Sequence, residues 1–320
     1  IDADYADKNP LFLDEQLVAD MTGSDGRRVV DGSVQLTAGQ RYPLRVEYAA
    51  DRPVVALQPG SLLLQWAPPG DALSPAIRDA VAAARASDVA VVYVRTYESE
   101  ERDRVSLKLP QSADRLITAV RAVNPRTVVI LATAGAVTMP WLGRVRSVLQ
   151  SYMGGQEEGT SLSRILYGKA APSGHLPITY PRSEADLPPG VTNPWDSLGD
   201  LDVEFSEGVD IGYRGYLASG TEPLFPFGHG LAYTTFRYQR LGLTGITARG
   251  RGGAARATVT LRNSGARAGA EVVQVYTGPL PGQESPARRL VGYAKVDLGI
   301  REQKTVRIRI PRRELSYWDA

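Results

Sequence analysis

The chain has 320 residues, 43% of them hydrophobic and 22% charged, and its formal net charge at pH 7 is only +2. This length favours two or three domains, and the near balance of charge excludes the concentrated basic surface that nucleic-acid binding requires. Because cysteine is absent, disulfides, thiolate nucleophiles and cysteine-bound zinc are also excluded. The two histidines, His175 and His229, are too few for a multi-histidine metal site, so we expect neither a metal nor a cofactor.

The sequence carries no recognisable targeting or membrane-spanning segment. No apolar stretch approaches the ~20 residues that cross a bilayer, so no membrane partner is expected. The chain starts at Ile1 with neither Met nor a signal-peptide pattern, which is typical of a fragment or a mature segment. Its compartment, secreted or cytoplasmic, stays open.

The first part of the chain, to about residue 66, has the pattern of antiparallel β-strands with one solvated face. A turn at residues 38–40 separates two segments in which apolar and polar residues alternate. We predict strands at residues 11–13, 33–36, 42–48 and 62–66.

The pattern changes at Ser74 and Pro75, which suit the N-cap and the first position of a helix. The alanine-rich segment that follows predicts a helix to about residue 86. Residues 89–94 are continuously apolar, which is typical of a strand buried on both faces.

Strand and helix patterns then alternate. Residues 111–123 predict a helix, and residues 127–131 and 147–150 predict strands. A glycine-rich loop at residues 154–159 precedes a helix at about residues 160–167. The loop lacks the Gly-Lys-Ser/Thr ending and the Rossmann spacing, so nucleotide binding is not expected. The alternation predicts a mainly parallel sheet covered by helices on both sides.

From about residue 238 the pattern is again that of β-strands. We predict strands at residues 257–261, 271–276, 289–296 and 304–310, at the spacing of a small β-sandwich. Asn263, Ser264 and Gly265 form a turn signal after the first of these strands. No closing strand is visible before residue 320, so we expect the sandwich to be truncated.

The densest charge cluster occupies residues 95–104, directly after the first strand of the predicted parallel sheet. Functional groups of open parallel sheets gather at the carboxyl ends of the strands. Three glutamates, Glu98, Glu100 and Glu101, lie close together there with arginines nearby, and such crowding can drive carboxyl pKa values apart. On position alone, a solvated charged loop is the competing interpretation.

Short sequence motifs help to decide between a functional site and a solvated loop at residues 95–104. The first runs Glu-Ser-Glu-Glu-Arg-Asp-Arg at residues 98–104, with Leu-Lys-Leu-Pro at residues 107–110. Others follow in order at residues 122–129, 139–141, 154–157, 173–181, 207–214 and 226–236. Together they resemble the motifs of glycoside hydrolase family 3, with the first resembling its Glu-Ser-Glu-Gly-x-Asp-Arg signature. A single motif would be weak evidence, but the ordered set covers residues 89–236.

This resemblance implies an architecture. In that family an N-terminal (β/α)8 barrel precedes an α/β sandwich and often a fibronectin type III-like domain. Residues 38–48 are similar to the end of a protective-antigen-type β-sandwich that some members carry. The implied fold is multidomain α/β plus all-β: the C-terminal part of that β-sandwich at 1–66, an α/β sandwich at 67–225, and a linker with a fibronectin type III-like β-sandwich at 226–320.

The resemblance also implies the site. Retaining glycosidases need two carboxyl groups about 5–5.5 Å apart. The family's nucleophilic Asp belongs to the barrel, which this sequence lacks, whereas its acid/base Glu aligns with Glu100, with Glu98 in reserve. Glu101 stands where the family usually has Gly, which leaves the choice among the three glutamates open. Tyr97 and Trp195 are candidates for stacking on sugar rings.

The implied function is that of the C-terminal portion of a retaining exo-β-glycosidase, a β-glucosidase. Its substrate would be a β-glucoside or oligosaccharide, and its partner would be the N-terminal barrel of the same protein. A non-catalytic carbohydrate-binding or scaffolding fragment is the alternative, and the Glu101 departure also allows an inactive relative. We expect structural roles for His175, His229 and Trp141.

Overall fold

The computed structural model describes residues 2–3, 10–20, 28–29, 32–47, 62–64, 73–96, 104, 106–110, 112–188, 206–245, 254–279 and 288–316. These residues belong to two compact units. The first unit contains the described residues up to Ala83, and the second contains most of those that follow. Within the described residues, no helix is both long and apolar enough to cross a membrane.

The first unit contains two three-stranded antiparallel sheets, as the alternating patterns predict. The strands are β1 (Asp2–Ala3), β2 (Leu11–Leu13), β3 (Gln16–Ala19), β4 (Arg28–Val29), β5 (Leu44–Val46) and β6 (Leu62–Leu63). Their orders in the two sheets are β4-β1-β6 and β3-β2-β5. Asp14 and Glu15 join β2 to β3 with positive φ angles of 51° and 61°, as a tight hairpin turn requires.

One predicted strand of this unit is wrong. Residues 33–36 belong to no strand. Their alternation fails because no described strand pairs with them and because Leu36 remains 37% exposed. The turn that follows is confirmed: Gly39 has a φ of 83°, and the Gln40 N–H donates to the Thr37 carbonyl over 3.2 Å.

The predicted first helix, α1 (Pro75–Arg85), is confirmed together with its N-cap. The Ile77 N–H donates to Ser74 Oγ over 3.3 Å, and the Arg78 N–H donates to the Ser74 carbonyl over 3.0 Å. The cap therefore satisfies backbone donors that the first helical turn leaves open.

The second unit begins with a parallel sheet of order β7-β8-β9, which confirms the predicted alternation. Val91, for example, lies opposite Val128, which in turn lies opposite Ser147. The elements of this region are β7 (Ala90–Arg95), α2 (Ala113–Val123), β8 (Thr127–Ala132), β9 (Ser147–Gln150), α3 (Glu158–Leu166) and α4 (Tyr213–Ser219).

The sheet core lies under α2. Ile117 and Val120 of this helix are 0% and 2% exposed, and α2 lies against β7 and β8. The prediction that β7 is buried on both faces is wrong, because Val91 and Tyr93 are 49% and 44% exposed. The buried residues of β7 alternate with Val91 and Tyr93, and α2 lies against the face that holds them. A continuous apolar run was therefore not sufficient to predict a strand that is buried on both faces.

Asn124 explains why the chain turns sharply between α2 and β8. Its side-chain amide donates to the carbonyls of Ala84 and Ser87 over 3.0 and 2.9 Å, and its Oδ1 accepts the Arg126 N–H over 2.9 Å. The residue is only 4% exposed. One buried amide thus joins the end of α1 to the start of β8.

The last part of the chain forms two antiparallel sheets of orders β10-β11-β14 and β12-β13, and the predicted strands are confirmed. They share a buried apolar core that includes Leu261, Val273 and Ile308. The strands are β10 (Phe236–Thr244), β11 (Ala254–Asn263), β12 (Gly269–Thr277), β13 (Arg289–Leu298) and β14 (Gln303–Pro311).

Specific contacts join the α/β part of the second unit to these sheets. The ring of Tyr213, at the start of α4, stacks on Phe227 with centroids 4.8 Å apart, and its hydroxyl accepts the Leu290 N–H over 2.9 Å. Lys295 Nζ on β13 donates to Ser173 Oγ over 2.8 Å. The junction is therefore packed and hydrogen-bonded.

Candidate functional site

The carboxyl ends of β7, β8 and β9 form one edge of the parallel sheet, where the sequence predicts the site. The predicted acid/base residues Glu100 and Glu98 lie outside the described residues, as do Tyr97 and Trp195. Their assignment therefore stays a prediction. The structure describes the residues that precede and follow the charged loop.

Both ends of that loop are anchored in the second unit. Thr96, which follows β7, is 2% exposed, and its N–H donates to the Ala132 carbonyl over 3.3 Å. On the far side, the Leu107 carbonyl accepts the Thr138 N–H over 2.9 Å, and the Leu107 N–H donates to Glu184 Oε1 over 2.5 Å. Thr96 before the loop and Leu107 after it are thus each hydrogen-bonded to other residues of the second unit.

A polar network at this edge involves a glutamate that is not among the predicted site residues. Oε1 of Glu158, the first residue of α3, accepts hydrogen bonds from Tyr93 Oη over 3.2 Å and from Ser151 Oγ over 3.0 Å. Burial, followed by the bond to Glu158, raises the pKa of Tyr93, so the phenol keeps its proton and remains a donor. The only sequence signal for Glu158 was its place in the glycine-rich loop.

A second pair ties β9 to β8. Gln150 Nε2 donates to the carbonyl of Thr133 over 3.0 Å and lies 3.1 Å from its Oγ1. Thr133 is fully buried, and its hydroxyl donates to the Gly135 carbonyl over 2.9 Å. The ends of β8 and β9 are therefore held together by side-chain hydrogen bonds as well as by the backbone hydrogen bonds of the sheet.

The backbone after β9 adopts uncommon conformations. Tyr152 has a φ of 56°, and Gly155 has a φ of 62°. Left-handed geometry at a bulky residue such as Tyr152 is rare and costs about 1–3 kcal/mol. Burial raises the pKa of the Tyr152 phenol. This strained turn brings the chain back so that α3 begins close to the sheet edge.

The three residues expected to be structural are all packed. Trp141 is 2% exposed, and its Nε1 donates to Asp114 Oδ1 over 2.7 Å, which confirms its place in the core. His175 Nε2 lies 3.4 Å from Glu271 Oε1, and the His229 ring lies 4.9 Å from that of Phe225. Among the described residues, no group of three or more histidines and acidic residues could hold a metal ion.

Comparison with known families gives the class of this chain. Residues 15–233 match the model described as the glycosyl hydrolase family 3 C-terminal domain, and residues 271–320 match a fibronectin type III-like domain. The first match covers more than half of the sequence. The chain belongs to glycosyl hydrolase family 3.

Individual relatives agree. A β-glucosidase of Rhizobium radiobacter is 37% identical over 333 residues, covering 97% of this chain and 39% of that protein. β-Glucosidase B of Emericella nidulans is 41% identical over 257 residues, covering 76% of this chain and 30% of the relative. The crystal structure of DesR, a β-glucosidase from Streptomyces venezuelae in complex with D-glucose, superposes with a TM-score of 0.73 at 34% identity and covers 99% of this chain and 39% of that one.

The chain therefore spans about two fifths or less of the length of these relatives. Residues 15–233 correspond to the C-terminal domain of the family.

Proposed function

We propose that this chain is the C-terminal portion of a retaining exo-β-glucosidase and that it supplies the general acid/base, Glu100. The observation that carries the proposal is the family membership of residues 15–233 together with the resemblance of residues 98–104 to the family's acid/base signature. The nucleophilic Asp would lie on an N-terminal (β/α)8 barrel of the same polypeptide. The substrate would be a β-glucoside or an oligosaccharide with a terminal β-linked glucose.

The domain organisation that goes with this proposal has three parts. Residues 1–66 would be the C-terminal part of a protective-antigen-type β-sandwich, and residues 67–225 an α/β sandwich that carries the acid/base loop. Residues 226–320 would be a linker and a fibronectin type III-like β-sandwich, supported by the two antiparallel sheets with a common core. Tyr97 and Trp195 would contact the sugar through their rings.

The proposed reaction uses Glu100 twice. In the first step the barrel carboxylate bonds to the anomeric carbon while the bond to the glycosidic oxygen breaks, and protonated Glu100 gives its proton to that oxygen. In the second step the Glu100 carboxylate takes a proton from water, which displaces the barrel carboxylate and releases glucose with retained configuration. Neighbouring Glu98 and Glu101 would raise the pKa of Glu100 toward neutrality by like-charge repulsion, as this dual duty requires.

The first test compares the chain alone with the same chain joined to its N-terminal region. We expect hydrolysis of an aryl β-glucoside only by the longer polypeptide, because one carboxyl group cannot perform both steps. If the longer polypeptide binds glucosides without turnover, the chain is a carbohydrate-binding or scaffolding part instead. If it neither binds nor turns over, it belongs to an inactive relative.

The second test addresses Glu100 in the longer polypeptide. For a poor leaving group such as an alkyl glucoside, Glu100→Ala should lower kcat/KM by about 10²–10⁴-fold, because general acid catalysis is lost. For 2,4-dinitrophenyl glucoside, whose leaving group needs no proton, the first step should persist, and added azide should restore turnover as β-glucosyl azide.

Glu222→Ala is the control for this test, because the Glu222 side chain is 84% exposed and pairs only with exposed Arg182 in the described structure. Its kinetics should equal those of the parent enzyme. We call this combination, a large loss on alkyl glucosides with the first step on 2,4-dinitrophenyl glucoside preserved, the leaving-group pattern. If Glu98→Ala shows the leaving-group pattern and Glu100→Ala does not, the acid/base assignment passes to Glu98.

A further inference from the structure

We propose that Glu158 is a positioning residue for the acid/base loop, acting through Tyr93 and Ser151 at the edge of the parallel sheet. The inference rests on the proposed function, because the loop matters only if it carries the acid/base. Nothing in the family resemblance singles out Glu158, and the proposal comes from its contacts.

The geometry joins two strands that do not pair with each other. Tyr93 lies on β7, and Ser151 directly follows β9, with β8 between these strands. A single carboxylate oxygen of Glu158 accepts from both side chains, over 3.2 Å and 3.0 Å. Hydrogen bonds to an ionised acceptor are about twice as strong as neutral ones. Glu158 thus connects the two outer strands at the edge where β7 continues into the charged loop.

Glu158 is itself well placed to act as a fixed point. It is the first residue of α3, where the positive end of the helix dipole stabilises a carboxylate. The last turn of α3 is tied down as well, since Tyr233 Oη donates to the Ile165 carbonyl over 3.0 Å. Hydrogen bonds thus restrain α3 at both ends, and in this proposal that rigidity supports the Glu158 side chain.

Tyr93 is the residue through which this rigidity reaches the loop. Its side chain is 44% exposed, so packing alone holds that face of β7 weakly, and Val91 beside it is 49% exposed. Three residues after Tyr93, buried Thr96 is the last described residue before the charged loop. A sideways movement of β7 would displace the loop that follows, and a misplacement of about 1 Å can cost as much as 10²-fold in rate.

A double-mutant cycle in the longer polypeptide tests the proposal. Glu158→Ala and Tyr93→Phe each remove the same hydrogen bond, so each should lower kcat/KM for an alkyl glucoside by about 10-fold, and the double variant by no more than about 10-fold. With 2,4-dinitrophenyl glucoside, where proton donation is not needed, all three should stay within about 2-fold of the parent. Ser151→Ala should give a smaller loss with the same leaving-group pattern.

Glu222→Ala again serves as the control, with no change expected on either substrate. Equal losses on both substrates would show that Glu158 only maintains structure or binding and would overturn the proposal, as would strictly multiplicative effects in the cycle. The proposed function is judged separately: if Glu100→Ala and Glu98→Ala both lack the leaving-group pattern, the acid/base assignment has failed. If either shows it and Glu158→Ala does not, only the positioning role has failed.

Discussion

At the scale of single residues, Asn263 at the end of β11 is the most connected buried polar side chain described in the β part. It is fully buried, and its Oδ1 accepts hydrogen bonds from Thr234 Oγ1 over 2.6 Å and from the Gly265 N–H over 3.0 Å. Its Nδ2 donates to the carbonyls of Arg267 and Gly299 over 2.7 and 2.9 Å. Its Nδ2 also lies 3.4 Å from the Leu298 carbonyl. The sequence predicted only a turn here, and the turn is held by one amide with five hydrogen-bond partners.

Replacing Asn263 by Ala should destabilise the β part by about 3 kcal/mol, because buried groups lose their partners and each unpaired group costs about 1–3 kcal/mol. We expect amides of β11 and β13 to exchange with solvent roughly 10²-fold faster, measured by hydrogen–deuterium exchange. The control is Arg262→Ala, the exposed neighbour on the same strand, which should leave exchange unchanged. Unchanged exchange in the Asn263 variant would show that water replaces the amide at no cost.

At the scale of elements, α2 shows how far an amphipathic pattern determines structure. The prediction of residues 111–123 agrees with the observed Ala113–Val123 to within two residues at its start. Its buried positions Ala113, Ile117 and Val120 recur at helical spacing and face the sheet. By contrast, the four-residue pattern at 33–36 formed no strand, and no strand among the described residues pairs with it.

Shortening the side chain of Ile117, at the centre of the buried face of α2, should lower the stability of the sheet in proportion to the volume removed. We expect Ile117→Val to cost about 1 kcal/mol and Ile117→Ala about 3 kcal/mol, because the fully buried side chain leaves a cavity against β8. Hydrogen exchange of β8 amides provides the measurement, with β13 amides as the internal reference. Equal, small effects of both variants would mean that the helix shifts to refill the space.

At the scale of the whole molecule, the junction within the second unit contains the only two histidines of the sequence. The His229 ring lies tilted against that of Phe225, and the His229 carbonyl accepts the Leu176 N–H over 2.8 Å. Burial, with a smaller contribution from His175, lowers the pKa of His229. Glu271 lies 3.4 Å from His175 Nε2 and accepts a hydrogen bond from Tyr238 Oη over 2.9 Å. The junction therefore concentrates titratable side chains between the α/β part and the β sheets.

A lowered pKa in the folded state means that the unfolded chain binds more protons below pH ~6.5. The stability that neutral His229 contributes is therefore present above that pH and is lost as the pH falls through the lowered folded value. We expect Tm to fall between pH 7.5 and pH 5 and the fall to be smaller in His229→Asn, as measured by calorimetry. An equal fall in both proteins would assign the acid sensitivity to other groups.

The candidate site was predictable from the sequence only in part. The motif at residues 98–104 and its place after a parallel strand pointed to the carboxyl edge of the sheet, because such motifs are local and the edge rule is general. The network around Glu158 was not predictable. Tyr93 and Glu158 are 65 residues apart in the chain, and only the folded sheet brings their side chains together.

The sequence by itself determined the family, the order of α/β and β parts, most strands and helices, and the turn chemistry, since these depend on local propensity, periodicity and short motifs. The tertiary structure alone decided which faces are covered, as for β7, and which polar groups meet, as for Asn263, His175 with Glu271, and Glu158 with Tyr93 and Ser151. The reason is physical: burial and hydrogen bonding depend on neighbours distant in the chain, and no local pattern specifies those neighbours.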